Sequence, residues 1–406
     1  MSDCTVKSTI ESGHITAYVT GRVDGSNATE FGEQLKAAHD ENPDLAMVVD
    51  ARGLEYISSA GLRALLTLKK YQADLSIQEA SDEVMDVFKV TGFTRMLEVT
   101  PALREVSVEG LTVLSRGMKG ATYRVDDDTM LSVYSPEYPL STVELERKNA
   151  QEALVAGASV IISFETVRVG EGYGIVYEAP NAKTVSEVLG TTADEATAHA
   201  YGVKVGKVIR RLHGAKGDRA LFIDKKAQAI RQLKGLAENG FLPAEQLQPA
   251  IDLYEALPES DSILHGDLSP LYIVERTDEM LLMDMVDAGI GHPVIDLAAA
   301  YTCYITSHEV RKELAAQLYG VSSETLTTMW GDIMRTYFGT EDEGALAANE
   351  TLIKAVARIR PLLLISWLKT MPEEYIDAIK MMWPQRVEDI NAALAYLKEN
   401  PEALDW

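Results

Sequence analysis

The segment at 264–298, LHGDLSPLYIVERTDEMLLMDMVDAGIGHPVIDLA, constrains the fold more than any other part of this chain. It interrupts a mostly helical region, and it holds His-Gly-Asp at 265–267, then an apolar strand, then Asp284 and Asp296. Each of these residues alone has an ordinary explanation, because a buried histidine is usually hydrogen bonded and an aspartate often caps a helix or stabilises a loop. Their order and spacing together indicate one specific fold.

The region before this segment has the pattern of a small antiparallel sheet with one helix. Gly117 and Gly120 flank a tight turn of the kind that can approach phosphates, although two glycines at this spacing more often form an ordinary hairpin. Asp126–Asp128 predict a second turn. Helical periodicity runs through Val143–Ala156, and Phe164–Glu178 contains two strand-like runs.

Residues 111–406 as a whole resemble the aminoglycoside phosphotransferase and choline kinase-like family. The resemblance implies a bilobal α+β fold of the protein-kinase type, with a small lobe at about 111–182 and a helical lobe at about 183–406. It implies that Asp267 accepts the proton of the acceptor hydroxyl and that Asp284 holds Mg²⁺ bridging the nucleotide phosphates. Asp296 would then fix the loop.

The same resemblance implies a nucleotide site in the small lobe. Gly117 and Gly120 would approach the phosphates of ATP. The segment VYEAP would be the hinge between the lobes, where Glu178 and Pro180 receive the adenine through backbone groups. ATP and Mg²⁺ are therefore the expected ligands.

The chain departs from the family pattern at two positions that matter for catalysis. Ser132 stands where a strand lysine normally contacts the phosphates, and Tyr272 stands where an asparagine normally binds a second metal. Glu146, the best match to the helix glutamate that pairs with that lysine, lacks its usual partner. Because phosphoryl transfer relies on positioning and charge neutralisation, these losses predict a pseudokinase. Lys119 in the glycine turn is an alternative cation for the phosphates, although a turn lysine is more often simply solvated.

The first hundred residues alternate strand and helix patterns. His14–Val23 alternates apolar and polar residues like a half-buried strand, and Leu45–Val49 is a short apolar run typical of a central strand. Apolar residues recur at helical spacing after Asn27, after Ser59 and within Asp82–Val90. The sum predicts an α/β domain with helices packed on a mixed sheet.

Residues 1–109 resemble the STAS family of anti-sigma factor antagonists, through VVDARGLEYISSAGLRALL at 48–66 and DVFKVTGF at 86–93. The resemblance implies that a partner anti-sigma kinase phosphorylates Ser59, two positions before the glycine of the turn, and that the chain binds a protein partner through this face. Ser58 replaces the aspartate that is more usual there. The alternative is that both serines only cap the following helix.

Composition excludes several classes of function. A net charge of −24 argues against a nucleic-acid partner, since such binding depends on lysine and arginine. No apolar run approaches the roughly 18 residues of a membrane span, and we expect no secretion signal. The two cysteines form neither a disulfide framework nor a thiolate metal site, so a cytoplasmic protein is expected. Residues 101–110 lack a flexible linker composition, which predicts that the two parts are held close.

Two functions follow from this pattern. The favoured one is a signalling regulator in which the STAS module binds an anti-sigma-like partner and a degenerate kinase-like domain senses a ligand or acts as a scaffold. The alternative is an active ATP-dependent phosphotransferase for a small molecule or a protein, using Asp267 and Asp284 with Lys119 in place of the missing lysine. Phosphorylation of Ser59 by the chain's own kinase-like domain is a third, weaker hypothesis.

Overall fold

The computed structural model describes residues 4–11, 14–117, 119–179, 183–190, 193–277, 279–306, 309, 311–367 and 373–406. The chain divides into two compact units, Met1–Glu105 and Val106–Trp406. Residues 106–109, which the sequence assigns to the first domain, therefore belong to the second. Packing explains this assignment. The Val106 N–H donates to the Arg168 carbonyl at 2.9 Å, and the valines at 106 and 108 pack against the apolar face of the second unit's sheet.

The first unit is a five-stranded sheet of strand order β1-β2-β3-β4-β5, in which β1 and β2 are antiparallel and the other pairs are parallel. Its elements are β1 (Thr5–Glu11), β2 (His14–Val23), α1 (Ala28–Glu41), β3 (Met47–Ile57), α2 (Ser59–Tyr71), β4 (Leu75–Ala80), α3 (Asp82–Val90) and β5 (Glu98–Pro101). The predicted mixed sheet with helices is confirmed. The central strand β3 is longer than its apolar run, because pairing with β2 continues as far as Val23 and Ile57.

The small lobe of the second unit is an antiparallel sheet of order β6-β7-β8-β10-β9 with one helix. Its elements are β6 (Thr112–Gly117), β7 (Gly120–Arg124), β8 (Thr129–Tyr134), α4 (Leu140–Val155), β9 (Ser163–Val169) and β10 (Gly172–Glu178). The predicted turn forms at Asp126, whose Oδ1 accepts from the N–H groups of Asp128 and Thr129 at 2.9 and 2.7 Å.

The rest of the second unit is mainly helical, with short strands around the segment that carries Asp267, Asp284 and Asp296. Its elements are β11 (Lys183–Thr184), α5 (Val185–Leu189), α6 (Glu195–Gly214), α7 (Lys225–Glu238), α8 (Ala244–Ala256), β12 (Ile263–Leu264), β13 (Ile273–Arg276), β14 (Glu279–Leu282), β15 (Gly289–Ile290), α9 (Val294–Tyr301), α10 (Lys312–Tyr319), α11 (Ser323–Phe338), α12 (Glu343–Trp367) and α13 (Glu373–Glu399). None of the helices in the described part of the chain is long and apolar enough to cross a membrane.

Candidate active site

A buried carboxylate fixes the loop that carries Asp267. Asp296, in the first turn of α9, is 0% exposed and accepts hydrogen bonds from the N–H groups of His265 and Gly266 at 2.8 and 2.7 Å. His213 Nε2 lies 3.0 Å from the same carboxylate. Burial alone would raise the pKa of Asp296, but the hydrogen bond and charge of His213 lower it overall, so the carboxylate stays ionised.

The loop of residues 265–267 is hydrogen bonded to Met283, the residue before Asp284. Gly266 has a φ of +89°, and a Cβ there would lie 2.5 Å from the Asp287 carbonyl oxygen, so only glycine fits. The Asp267 N–H donates to His265 Nδ1 at 3.2 Å, and His265 Nε2 bonds the Met283 carbonyl at 2.8 Å. This pattern describes a neutral imidazole with its proton on Nε2.

Asp267 is half-buried, and its side chain is only weakly held. Burial raises the pKa of this carboxyl group, while the nearby positive charge of Arg360 acts in the opposite direction. The Cys303 thiol donates a long contact to Oδ1 at 3.7 Å. A raised pKa makes this carboxylate a better proton acceptor than an ordinary aspartate.

Lys119 extends from the glycine turn to Asp284. Lys119 Nζ lies 2.7 Å from Asp284 Oδ1, and the two side chains are 24% and 17% exposed. Burial lowers the pKa of Lys119, but the negative charges of Asp284 and Glu146 outweigh burial and raise it. Lys119 is therefore a charged, sheltered side chain in the cleft and not a solvated turn lysine.

The turn brings Lys119 to this position through a close hairpin. Gly117 pairs with Gly120 at its base, and Gly120 has a φ of +151°. A Cβ on Gly120 would lie 1.9 Å from the Val133 carbonyl oxygen, so the adjoining strand β8 leaves no room for a side chain. Asp284 itself has a left-handed backbone with φ 65°, a conformation that is uncommon outside glycine and is enriched at functional sites.

Two tyrosines bind Glu146, whose usual lysine partner is missing. Glu146 on α4 is 3% exposed; the Tyr177 hydroxyl donates to its Oε1 at 2.6 Å and the Tyr134 hydroxyl donates to its Oε2. Burial, with the charge of Asp284, raises the pKa of Glu146 to about 7. The serine at the lysine position, Ser132, instead lies 3.2 Å from the Thr122 hydroxyl on the neighbouring strand. Sequence reasoning missed both tyrosines, whose only signal is their place at the ends of β8 and β10.

Tyr272 occupies the position of the expected asparagine and lies near enough to Asp284 for that charge to affect its pKa. Burial raises its pKa well above the ordinary value, and the charge and hydrogen bond of Asp284 add to this effect. Its ring stacks beside that of His265, with centroids 6.5 Å apart. A phenol with a raised pKa stays protonated and offers no carbonyl oxygen, so Tyr272 does not replace the expected amide ligand.

The donor set fits one Mg²⁺ held together with a nucleotide. Within the described ranges no group of three or more His, Cys, Asp or Glu residues forms a metal site. Mg²⁺ usually keeps several waters and binds through one or two carboxylates plus substrate phosphates, so it needs no such cage. Asp284 is the carboxylate that would hold it here.

The predicted hinge is largely engaged in internal bonds. The Glu178 N–H donates to the Ile162 carbonyl at 2.9 Å, and the Ala179 N–H donates to the Asp128 carbonyl at 2.7 Å. The Glu178 carboxylate accepts from the Ile162 N–H at 2.9 Å and from Arg276 at 2.8 Å. An adenine contact from Glu178 would therefore involve its carbonyl oxygen. Pro180 lies outside the described residues.

Comparison with known proteins identifies the second unit. The model of the phosphotransferase enzyme family matches residues 110–328, more than half of the 406 residues. The chain belongs to this phosphotransferase family. The match contains Lys119 and Asp284, which contact each other, and Asp267, whose loop Asp296 holds.

The first unit is a STAS domain. A second family model, described as "Mlab, STAS domain", matches residues 6–98. BtrV of Bordetella bronchiseptica, a relative named as an anti-sigma factor antagonist, is 32% identical over 108 residues, which are 26% of this chain and 92% of BtrV.

Solved structures similar to this phosphotransferase-family chain include two kinases. A choline/ethanolamine kinase family protein from Mesorhizobium loti is 17% identical, and the match covers 69% of this chain and 92% of that one with a TM-score of 0.44. The ADP-bound aminoglycoside phosphotransferase APH(2'')-Ib is 15% identical, and the match covers 75% of this chain and 99% of that one with a TM-score of 0.46.

In the STAS domain the two serines of the turn have different surroundings. Ser58 is the N-cap of α2, and its Oγ accepts from the Gly61 N–H at 3.4 Å. Ser59 is the first residue of α2, it is exposed, and its side chain forms no hydrogen bond with a described residue. Capping is thus the task of Ser58, which leaves the Ser59 hydroxyl accessible at a helix N-terminus.

We predict that Asp296→Ala lowers the free energy of unfolding of the second unit by about 3 kcal/mol or more, because it leaves His213 and two buried N–H groups without their acceptor. Urea unfolding followed by tryptophan fluorescence measures this unit selectively, since all four tryptophans lie after residue 105. Asp389→Ala is the control, because its carboxylate is 33% exposed and should contribute about 1 kcal/mol or less. Equal effects of the two substitutions would contradict the anchoring role.

Proposed function

We propose that this chain transfers a phosphoryl group from ATP to a hydroxyl acceptor, with Lys119 performing the task of the missing strand lysine. The observation that carries the proposal is the 2.7 Å contact between Lys119 Nζ and Asp284 Oδ1 in a sheltered cleft. A lysine that reaches the metal-binding aspartate also reaches the space that nucleotide phosphates would occupy. The charge that Ser132 does not supply is therefore available from the turn.

In this mechanism the acceptor oxygen attacks the γ-phosphorus of ATP, and the bond between that phosphorus and the β–γ bridging oxygen breaks. ADP leaves with the electron pair, and Asp267 takes the hydroxyl proton. Mg²⁺ bound at Asp284 would neutralise phosphate charge. Lys119 exchanges its contact with Asp284 for the phosphate oxygens, and Asp296 holds the loop of Asp267 in place.

The second candidate is a regulator that binds nucleotide without transferring phosphate. Tyr272 favours it, because a phenol near Asp284 stands where a second metal ligand is expected. With one metal fewer, charge neutralisation in the transition state would be weaker. Such a protein would use the nucleotide to control the binding of a partner.

One experiment separates these functions. MgATP is titrated into the full chain by calorimetry, and ADP release is followed in the same preparation. Binding with ADP release supports the phosphotransferase, whereas binding without release supports the regulator. Absence of binding at millimolar MgATP would reject both the phosphotransferase and the nucleotide-binding regulator, and would indicate a scaffold.

For the STAS domain we propose that phosphorylation of Ser59 controls the binding of a protein partner. The support is an exposed hydroxyl at the N-terminus of a 13-residue helix, whose backbone N–H groups and dipole tolerate a phosphate. A phosphate adds about two negative charges, which a partner covering this turn would have to desolvate. Partner release on phosphorylation is the expected outcome.

We predict that Ser59→Asp reduces binding of the partner at least about tenfold, whereas Ser59→Ala keeps it. The measurement is affinity capture from the native host, with phosphopeptide mass spectrometry of the wild-type chain. Ser8→Asp adds the same charge on an exposed position of β1 and should have no effect. The switch is wrong if Ser59 is never phosphorylated and Ser59→Asp captures the same partner as the wild type.

A further inference from the structure

A cavity next to the Asp267 loop is lined by two positively charged side chains, which indicate the chemical class of the acceptor. It measures about 140 Å³ and lies between α7, α8, α9 and α12, with Gly266 and Asp287 on its inner wall. This volume is close to that of engineered protein cavities that accept benzene, about 150 Å³. Its occupant is therefore a small molecule.

Two cations line this cavity without an ion-pair partner. Lys225, the first residue of α7, makes one hydrogen bond, to Gln228 Oε1 at 3.1 Å, and Arg360 on α12 makes none with a described residue. Neither forms an ion pair within the described part of the chain. Burial lowers the pKa of Lys225; the charges of Asp287 and Asp296 oppose this shift, and the charge of Arg360 adds to it, so the two cations lie close enough to interact.

Three neighbouring cations that do not line the cavity form ion pairs. Lys226, the next residue of α7, lies 3.1 Å from Glu259. On α12, Lys354 lies 3.3 Å from Asp389, and Arg358 lies 2.9 Å from both Asp389 and Glu309. Lys225 and Arg360 differ from these three neighbours in having no ion pair with a described residue.

The carboxylates at the cavity offset only part of this charge. Asp296 is committed to the loop N–H groups and to His213, which leaves Asp287 as the uncommitted acid on the wall. Asp267 lies beside the cavity, near enough for the charge of Arg360 to oppose the rise of its pKa. The rest of the wall is largely apolar: Ala229, Tyr254, Leu264, Ile295, Ala298, Val356, Leu363 and Leu364.

From this arrangement we infer that the acceptor is a small hydroxylated carboxylic acid with a hydrocarbon body. Its carboxylate binds between Lys225 and Arg360, its body contacts the apolar wall, and its hydroxyl faces Asp267. Two half-buried cations favour an anion, since charge-assisted hydrogen bonds are the stronger ones, and they disfavour a polyamine acceptor. The inference rests on the proposed phosphotransferase function, because it names the acceptor of that reaction.

The test measures binding to the full, nucleotide-free chain with three probes of one shape, by saturation-transfer NMR titration. The probes are 4-(hydroxymethyl)benzoate, its neutral amide and the cationic 4-(hydroxymethyl)benzylamine. We expect the acid to bind at least about tenfold more tightly than the amide, and the amine to bind most weakly. Equal affinities, a preference for the amine, or no binding by any of the three would overturn the inference.

Variants connect the preference to the two cations. Lys225→Gln and Arg360→Gln should each reduce the preference for the acid, and the double variant should bring the ratio of acid to amide affinity to about one. Lys226→Gln and Lys354→Gln are matched controls on the same helices and should leave the ratio unchanged. Because ATP is absent, failure of ADP release would reject the phosphotransferase without touching this result, and loss of the acid preference would reject the acceptor class alone.

Discussion

Asp267→Asn should lower ADP release from MgATP by about 10²- to 10⁴-fold, which is the usual contribution of a positioned general base. The substitution keeps the shape of the side chain and the loop contacts made by the backbone, because Asp296 bonds N–H groups and not the Asp267 side chain. It removes the carboxylate that accepts the hydroxyl proton. ADP release is followed in a coupled assay, with water or an added alcohol as acceptor.

Affinity for MgATP should stay within about threefold of wild type in this variant, since proton acceptance and nucleotide binding use different residues. Asp252→Asn, an exposed position on α8, is the matched control and should retain full activity. Activity of Asp267→Asn equal to that of the control would remove Asp267 from the reaction.

Asp284→Asn should weaken MgATP binding by at least about tenfold, because an amide oxygen is a poorer ligand for Mg²⁺ than a carboxylate. Asparagine is the appropriate replacement, since it tolerates the left-handed backbone found at this position whereas alanine does not. Calorimetric titrations with and without Mg²⁺ give the comparison. With EDTA present the variant should bind ATP as tightly as wild type or more tightly, because a negative charge facing the phosphates has been removed.

The same loss of affinity with and without Mg²⁺ would indicate that Asp284 acts only by holding Lys119 and Tyr272 in place. In that case the metal-binding role of Asp284 is wrong. Circular dichroism and the urea midpoint of each variant exclude misfolding as the cause.

The sequence predicts features formed by residues that are close together in the chain, and it does not predict contacts between residues that are far apart in the chain. The α/β arrangement of the first unit and the bounds of β2 and α3 follow from periodicity within one element. The contact of Lys119 with Asp284 joins residues 165 positions apart, so it depends on how the two lobes pack and has no local signal. The tyrosine pair at Glu146 and the cation pair of Lys225 and Arg360 are of this second kind, since each is assembled from elements distant in the chain.

The domain boundary illustrates a different limit. Residues 106–109 have no turn or linker signal that separates them from the segment before them, and their valines acquire a role only when the second unit's sheet offers a surface. Ser58 and Ser59 are similar, because both are good capping residues by type. Only the observed bond of Ser58 to Gly61 assigns the capping task to one of them.

The affinity of Lys119→Ala for MgATP tests the central claim most directly. If Lys119 replaces the strand lysine, calorimetry should show binding weakened roughly 10- to 150-fold, the range for loss of one charged hydrogen bond. Adding Ser132→Lys, which returns the lysine to the face of β8 that carries Tyr134 toward Glu146, should restore part of that loss. Binding by Lys119→Ala equal to that of the wild type would contradict the account, and the contact with Asp284 would then be a structural ion pair only.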